Sequence, residues 1–194
     1  MNDYIRFDRL SDANASLDEF CFCIERLTID DDKAAWKYAI ISIHNALQGY
    51  ICKGLHFSQR SKSEGSKERP GHREWSEAYE KGDLLPLPRQ DIFENLYDKF
   101  YGKNNSKLDW ERIKWLHDQR NNFVHFNVDG FSLPANEVIL CCTEALEAIK
   151  QASQYTKELF FYEESQKQSY QESCERAERL LHKLRKNLKQ LESI

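Results

Sequence analysis

The sequence predicts an all-α protein. Its 194 residues include only seven glycines and four prolines, the two residue types that helices tolerate least. Apolar residues recur at spacings of three and four through several long segments, which is the spacing of one helical face. The 40% hydrophobic content is typical of a chain with one folded core. We therefore predict a bundle of helices around a single core.

Two helices are predicted in the first part of the chain. The first covers about residues 16–27, with Ser16 as its N-cap and an apolar face of Phe20, Ile24 and Leu27. The second covers about residues 33–55, after aspartates 30–32, whose charge is favourable near the N-terminal end of a helix. This second helix is the predicted spine of the core, through Ala35, Tyr38, Ala39, Ile43, Ala46, Leu47, Tyr50 and Ile51.

A long polar loop is predicted over about residues 56–83. Up to Glu74 it holds five lysines and arginines against three glutamates, which makes it a candidate basic patch. Long loops in compact domains are usually functional or disordered, so this loop is either a basic binding segment or a solvated insertion. Trp75 and Tyr79 favour a short helical turn near its end.

Three more helices complete the predicted domain. One covers residues 89–101, with Ile92, Leu96 and Phe100 facing inward and Gly102 ending it. The next covers residues 110–126. After a turn signal, Pro134 begins a third helix that extends to about residue 162. Its apolar positions are Val138, Cys141, Cys142, Ala145, Leu146, Ile149 and Ala152.

The C-terminal segment is predicted to be an amphipathic helix. Its apolar residues alternate spacings of four and three: Tyr170, Cys174, Ala177, Leu181, Leu184, Leu188 and Leu191. We divide the chain into a helical domain, residues 1–160, and a C-terminal helical extension, residues 161–194. The extension would fold back on the domain, pair with a second chain or bind a partner, and the pattern is compatible with all three.

Arg120 is the most informative residue of the predicted helix over residues 110–126. At about 100° per residue it lies inside the apolar arc of Trp110, Ile113, Leu116, Phe123 and Val124. His117, Asn121 and His125 follow one another at a spacing of four along one edge of that arc. A desolvated guanidinium needs a partner, which would be a carboxylate, carbonyl groups, another chain or an anionic ligand. Alternatively, the arginine extends to solvent at the edge of the core.

Bulk properties restrict the function classes. The net charge of −4 gives no overall attraction to nucleic acid, so a polyanion would need a local patch. No apolar run approaches 18 residues, and the first residues do not resemble a signal peptide, so we expect a cytoplasmic protein without a membrane partner. The six cysteines form no Cys-x-x-Cys pair, and we expect buried thiols, no metal site and no cofactor.

The segment Arg120-Asn121-Asn122-Phe123-Val124-His125 resembles the Arg-x(4–6)-His signature of the HEPN superfamily, the higher eukaryotes and prokaryotes nucleotide-binding domain. Asn121 matches the polar residue that commonly follows the arginine, and apolar residues commonly precede the histidine. Residues 42–50 resemble the family's earlier core helix. The resemblance covers roughly residues 16–152 and implies a HEPN-like up-and-down helical bundle, with the polar loop and the C-terminal helix as elaborations.

Many HEPN proteins are metal-independent endoribonucleases of toxin–antitoxin and defence systems, with an active site where two subunits meet. The resemblance therefore implies a homodimer that cuts RNA, with Arg120 and His125 as catalytic residues and Asn121 as a polar helper. It also implies a possible antitoxin protein, often nucleotidyltransferase-like in related systems. His117 is outside the family motif, and helical geometry alone makes it a neighbour of the site. His44 on the second helix is either a core histidine or a second neighbour.

The chemistry of RNA cleavage suits these side chains. Without a metal, the 2′-hydroxyl attacks the phosphorus, so a group must take its proton and another must protonate the leaving 5′-oxygen. Histidine can do both near neutral pH, and the negative end of a helix favours its protonated form. Arginine presents a planar fork to phosphoryl oxygens. Because Arg120 and His125 lie about 140° apart around a helix, two copies would have to combine at one phosphate.

Two alternatives remain open at the level of sequence. The first is a HEPN-like domain that binds RNA or a nucleotide, or serves as a dimerising adaptor, without cutting. The second is a structural helical protein in which Arg120 pairs with Glu94 or Asp98 inside the core. Trp115 and Phe126, on the polar side of the motif helix, also suggest an additional contact surface.

Overall fold

The computed structural model describes residues 8–30, 32–58, 77–78, 80–83, 91–125, 130, 132–154, 161 and 163–191. In this part of the chain six α-helices are present and strands are absent. They are α1 (Arg9–Asp30), α2 (Lys33–Ser58), α3 (Phe93–Phe100), α4 (Trp110–His125), α5 (Ala135–Gln154) and α6 (Glu164–Leu191). The predicted all-α bundle is confirmed.

Helix α2 is the centre of the bundle, as its apolar pattern predicts. It packs against α1, α3, α4 and α5, while α6 packs against α1 and α5. The largest side chains that are fully buried come mainly from α1 and α2, together with Tyr97 of α3. Tyr38 is an exception to the predicted inner face of α2, because 49% of it is exposed.

The first helix begins at Arg9, so the prediction of Ser16 as its N-cap is wrong. The carboxylate of Asp8 accepts hydrogen bonds from the backbone N–H groups of Leu10 (2.9 Å) and Ser11 (3.0 Å). The Ser11 hydroxyl in turn accepts one from the Asp8 N–H at 3.1 Å. This reciprocal cap satisfies donors that the first helical turn leaves free, and it starts the helix two turns earlier than the apolar pattern does.

The second helix continues to Ser58, three residues into the predicted polar loop. Residues 59–76, including Trp75, lie outside the described residues, as does Tyr79. Near the end of the predicted loop the chain is helical at 77–78 and 80 and turns at Gly82, which has a φ of 81°. Glycine adopts this left-handed conformation without the cost of a side-chain clash.

Helix α3 begins at Phe93, and this start corrects the predicted inner face. Ile92 is the residue before the helix and is 65% exposed, although the sequence places it inside. Phe93 is buried in its place, with Leu96, Tyr97 and Phe100. Residues 84–90 lie outside the described part of the chain. The predicted end at Gly102 is confirmed, since its φ of 76° suits a residue that follows a helix.

Helix α5 follows Pro134 directly, and the Pro134 carbonyl accepts the first intrahelical hydrogen bond from Val138 N–H at 3.1 Å. Its predicted apolar positions are buried. The described helix ends at Gln154, and residues 155–160, over which its continuation was predicted, are outside the described residues.

Helix α6 folds back on the bundle, which decides among the three predicted arrangements of the tail. Its residues Tyr170, Cys174, Ala177, Leu181 and Leu184 belong to the core. Polar contacts join it to α1 at three levels: Asn14 Nδ2 donates to the Gln166 carbonyl at 3.3 Å, Ser173 bonds to Asp18, and Arg176 forms a two-bond pair with Glu25 at 2.7 and 3.0 Å. The residue numbers of the partners increase in the same order along both helices, so α1 and α6 run in the same direction.

All six cysteines are buried thiols, as expected. Burial raises the pKa of the Cys21 thiol to about 12 and that of Cys23 to about 11, so both stay protonated at neutral pH. Within the described helices, none is long and apolar enough to cross a membrane.

Candidate functional site

Helix α4 carries the motif and is oriented by its apolar residues. Asp109 caps it, accepting from the N–H groups of Glu111 (3.1 Å) and Arg112 (3.3 Å). Ile113 and Leu116 are fully buried, as predicted. The rest of the predicted apolar arc is only partly covered: Trp110 and Phe123 pack against the core, and Val124 is 37% exposed. The buried face is thus narrower than the pattern indicates.

A chain of three hydrogen bonds joins α2 to Arg120. His44 Nε2 lies 2.9 Å from His117 Nδ1. His117 Nε2 lies 3.0 Å from Asn121 Nδ2, and Asn121 Oδ1 accepts from Arg120 Nη1 at 3.1 Å. The structure therefore brings together Arg120 and Asn121 with the two histidines that the sequence marked as neighbours. We call these four residues the relay.

Phe93 of α3 covers both imidazoles of the relay. Its ring is stacked on His117, with centroids 4.8 Å apart and planes 19° apart, and it lies 4.5 Å from the His44 ring. Sequence reasoning missed this residue. The signal was available, because Phe93, Leu96, Tyr97 and Phe100 follow helical spacing once the helix is started one residue after Ile92.

Burial keeps the relay histidines neutral. His44 is only 1% exposed, and desolvation, followed by the charges of His117 and Arg120, puts its pKa well below the usual 6.5. Desolvation also lowers the pKa of the partly buried His117, although the carboxylates of Asp118 and Glu94 oppose the shift. At neutral pH neither ring competes with Arg120 as a cation.

Arg120 is a partly buried cation without an acidic partner in the described part of the chain. Its one described hydrogen bond goes to the neutral amide of Asn121, and its Nε is buried without a partner. Burial lowers the pKa of its guanidinium. Glu94 pairs instead with Lys103 at 3.7 Å, and Asp98 accepts from the Lys103 N–H at 3.0 Å. The core ion pair required by the structural alternative is therefore not formed among these residues.

His125 stands apart from the relay. It is the last residue of α4 and is exposed. Among the described residues it makes neither a hydrogen bond nor an ion pair. An ideal helix separates it from Arg120 by about 140°, so one copy of the chain presents the motif's two ends in different directions.

One more cation and two aromatic rings lie along the same α2–α4 contact. Lys37 Nζ is 5.8 Å from the Tyr38 ring centroid and 6.0 Å from that of Phe123. Because Lys37 meets Phe123 while His44 meets His117, α2 and α4 run in opposite directions. Phe123 lies one turn beyond Arg120 on α4, so Lys37 lies towards the Arg120 end of the relay, and the Tyr38 ring lies next to Lys37. Sequence reasoning missed Lys37, although it lies two turns before His44 on the same helical face.

A separate cleft of about 450 Å³ lies beside Trp115 on the other side of α4. Four carboxylates and two cations line it: Asp109, Glu111, Asp118, Glu137, Arg112 and Lys114. This balance does not favour a polyanion, and Trp115 itself packs partly against the core. Phe126, the other residue of the predicted contact surface, lies outside the described residues.

Comparison of the chain with protein-family models, with curated proteins and with solved structures finds no match. Among the residues that the structure describes, no group of three or more histidines, cysteines, aspartates or glutamates is placed to hold a metal ion. The functional interpretation therefore depends on the chemistry of the relay and of the residues beside it.

Proposed function

We propose that this protein is a metal-independent endoribonuclease of the HEPN type, a cytoplasmic toxin or defence effector that uses Arg120 and His125. The observation that carries the proposal is Arg120 itself, which is partly buried, bonded to a neutral amide and unpaired at Nε. A guanidinium so placed lacks the carboxylate that would balance its charge in the described part of the chain. A phosphoryl group of a ligand supplies that charge, with two oxygens for the planar fork.

RNA is favoured over a small anion by two residues of α2, Lys37 and Tyr38, that lie towards the Arg120 end of the relay. Lys37 offers a second cation, and Tyr38, 49% exposed, offers a ring surface on which a base can stack. In a single strand, successive phosphates and bases are several ångströms apart. An extended strand can therefore contact Arg120, Lys37 and Tyr38 together. Since the net charge is −4, this local surface has to provide the attraction.

The proposed reaction forms a 2′,3′-cyclic phosphate. A neutral histidine takes the proton of the 2′-hydroxyl as its oxygen bonds to phosphorus, and a protonated histidine gives a proton to the 5′-oxygen as the P–O5′ bond breaks. Arg120 balances the charge that grows on the non-bridging oxygens. The two proton transfers balance, so neither a metal nor a co-reactant is needed.

A two-fold dimer supplies the two histidines of this scheme. In one copy Arg120 and His125 diverge around α4, whereas two copies related by a two-fold axis place two Arg–His sets across one phosphate. One His125 then acts as base and the other as acid. Val124, which is 37% exposed and next to His125 in the sequence, provides apolar area for the contact.

The direct test is cleavage of a labelled RNA pool in excess chelator. We expect the wild type to cut and both Arg120→Ala and His125→Ala to lose at least about 100-fold in rate, the scale of general acid–base catalysis. His182→Ala, which removes an exposed histidine of α6, is the matched control and should cut normally. Full activity in His125→Ala, or loss of wild-type activity in chelator, would contradict the proposal.

A non-catalytic RNA-binding module is the second candidate, because His125 takes no part in the described hydrogen bonds. In that case none of the proteins cuts RNA, Arg120→Ala weakens RNA binding, and His125→Ala leaves binding unchanged. Both functions predict that His125→Ala still binds RNA, so cleavage separates them: the wild type cuts RNA only if the protein is a catalyst.

A further inference from the structure

The directions of the relay's hydrogen bonds follow from Arg120. A guanidinium only donates, so the Asn121 amide must turn its oxygen towards Arg120. The amide nitrogen, Nδ2, then faces His117 Nε2 at 3.0 Å. An amide nitrogen also only donates, so His117 Nε2 must present a lone pair.

The protonation of both imidazoles is then determined. His117 is neutral and carries its proton on Nδ1, which donates to His44 Nε2 at 2.9 Å. His44 therefore accepts at Nε2 and carries its own proton on Nδ1. That atom is buried and makes no hydrogen bond within the described residues. The relay thus ends in a buried donor, and its direction runs from Arg120 towards the core.

We infer that His117 is a positioning residue: in its neutral, Nδ1-protonated form, anchored by His44, it fixes the Asn121 amide and through it directs Arg120 at the phosphate of an RNA strand. The inference rests on the proposed function for the identity of the anion. The orientation of the Asn121 amide, by contrast, depends only on the hydrogen bonds of the relay. Phe93 supports this arrangement by stacking on His117 and limiting the rotation of the ring.

Protonation of His117 reverses the amide. A proton on Nε2 puts two donors face to face, and rotation of Asn121 to relieve them puts its nitrogen against Arg120. The groups that act on His117 are His44 from α2, Glu94 from α3, and Lys114, Asp118 and Arg120 from α4. Because desolvation dominates and lowers the pKa, the neutral form persists below the usual histidine range. The hold on Arg120 is lost only at more acidic pH.

Two substitutions separate positioning from packing. His117→Gln retains an acceptor for the Asn121 amide and a donor for His44, but it does not titrate. His117→Leu retains apolar bulk and removes both bonds. A merely structural role predicts that leucine is tolerated at least as well as glutamine, because it avoids a buried polar group. The positioning role predicts the opposite order.

The experiment uses the full chain and an RNA 12-mer with 2′-O-methylribose throughout, which binds without being cut because it lacks the 2′-hydroxyl nucleophile. At pH 7.5 we expect His117→Leu to weaken binding about tenfold, as Arg120→Ala does, and His117→Gln to stay within about twofold of wild type. As pH falls, wild-type binding loses its dependence on Arg120, whereas binding by His117→Gln retains it. If His117→Leu binds the 12-mer as tightly as the wild type does, at pH 7.5 and at acidic pH, the inference is overturned.

Nitrogen-edited NMR of the imidazoles gives a readout that is independent of RNA. We expect His117 and His44 to be protonated at Nδ1 and unprotonated at Nε2 at pH 7.5, with assignments from the single variants. An Nε2-protonated His117 would overturn the inference even if RNA binds. Absence of RNA binding with the expected tautomers would contradict the proposed function and with it the role towards RNA, while leaving the described orientation of the amide in place. The NMR result also covers the case in which His117→Leu does not fold.

Discussion

His44 and His117 share a hydrogen bond across the α2–α4 contact, with Nε2 and Nδ1 2.9 Å apart beneath the ring of Phe93. Two imidazoles from distant parts of the chain are thereby held neutral in one pair, with His44 buried and His117 partly buried. Neither can be protonated without losing an acceptor in the relay. The pair links the stability of the bundle to the geometry at Arg120, because the same atoms serve both.

Acid should destabilise the protein through His44. Its folded pKa is well below 6.5, so the unfolded chain binds the proton first as pH falls. The stability associated with the neutral ring is fully present above pH 6.5 and is lost as pH falls towards the folded pKa, by at most about 1.4 kcal/mol per pH unit.

Urea unfolding at pH 7.5, 6.0 and 5.0 measures this dependence. His44→Gln, which keeps an acceptor for His117 but does not titrate, should show a flatter loss than the wild type. His182→Gln removes an exposed histidine and should retain the wild-type slope. Equal slopes for His44→Gln and the wild type would show that His44 does not control the acid response.

The sequence predicted the helices and the anomalous arginine, because both are local properties of a 3.6-residue period. It did not predict that Asn121 connects Arg120 to the two histidines by hydrogen bonds. His44 and His117 are 73 positions apart, and only the packing of α2 on α4 brings them together. The helix starts at Arg9 and Phe93 were missed for a different reason. The start at Arg9 is set by the capping hydrogen bonds of Asp8, which the apolar pattern does not show. The start at Phe93 places Phe93 in the core and leaves Ile92 outside, a difference of one residue from the predicted inner face.

Gly49 should not tolerate alanine. A Cβ there would lie 2.7 Å from Ala13 Cβ and 3.4 Å from Ala13 Cα, so it meets a side chain with no torsion to turn and the backbone behind it. Alanine gains up to about 1 kcal/mol in helix propensity, but overpacking costs about 1–3 kcal/mol, and we expect net destabilisation. Gly130→Ala is the control, because a Cβ at Gly130 meets nothing within 4 Å.

Thermal and urea unfolding of both variants test this prediction. Gly49→Ala should lower the midpoint with an unchanged denaturant slope, which indicates a loss of stability rather than a changed unfolded state. Gly130→Ala should remain within about 0.5 kcal/mol of the wild type. A Gly49→Ala protein as stable as the wild type would mean that α1 and α2 are farther apart than the structure places them.

Helix α6 should contribute core stability and not only a surface for partners. Leu181 is 4% exposed and packs in the core cluster, so Leu181→Ala should cost about 2–5 kcal/mol in the free energy of unfolding. Arg185→Ala, on the exposed side of the same helix, should change it by less than about 0.5 kcal/mol. Similar small effects for both variants, measured by urea unfolding of the full chain, would place α6 off the bundle.

Tyr38 should strengthen RNA binding without contributing to folding, because it is 49% exposed beside Lys37, towards the Arg120 end of the relay. Base stacking on an aromatic ring contributes about 1–3 kcal/mol per base, so Tyr38→Ser should weaken binding of the uncleavable 12-mer by about fivefold or more.

Phe22→Ser is the matched control. Phe22 is 52% exposed on α1, against Arg176 of α6, and its removal should leave RNA affinity unchanged. Fluorescence anisotropy at fixed salt measures both affinities. Equal effects of the two substitutions would indicate general surface attraction, and no effect of Tyr38→Ser would remove this ring from the proposed RNA surface.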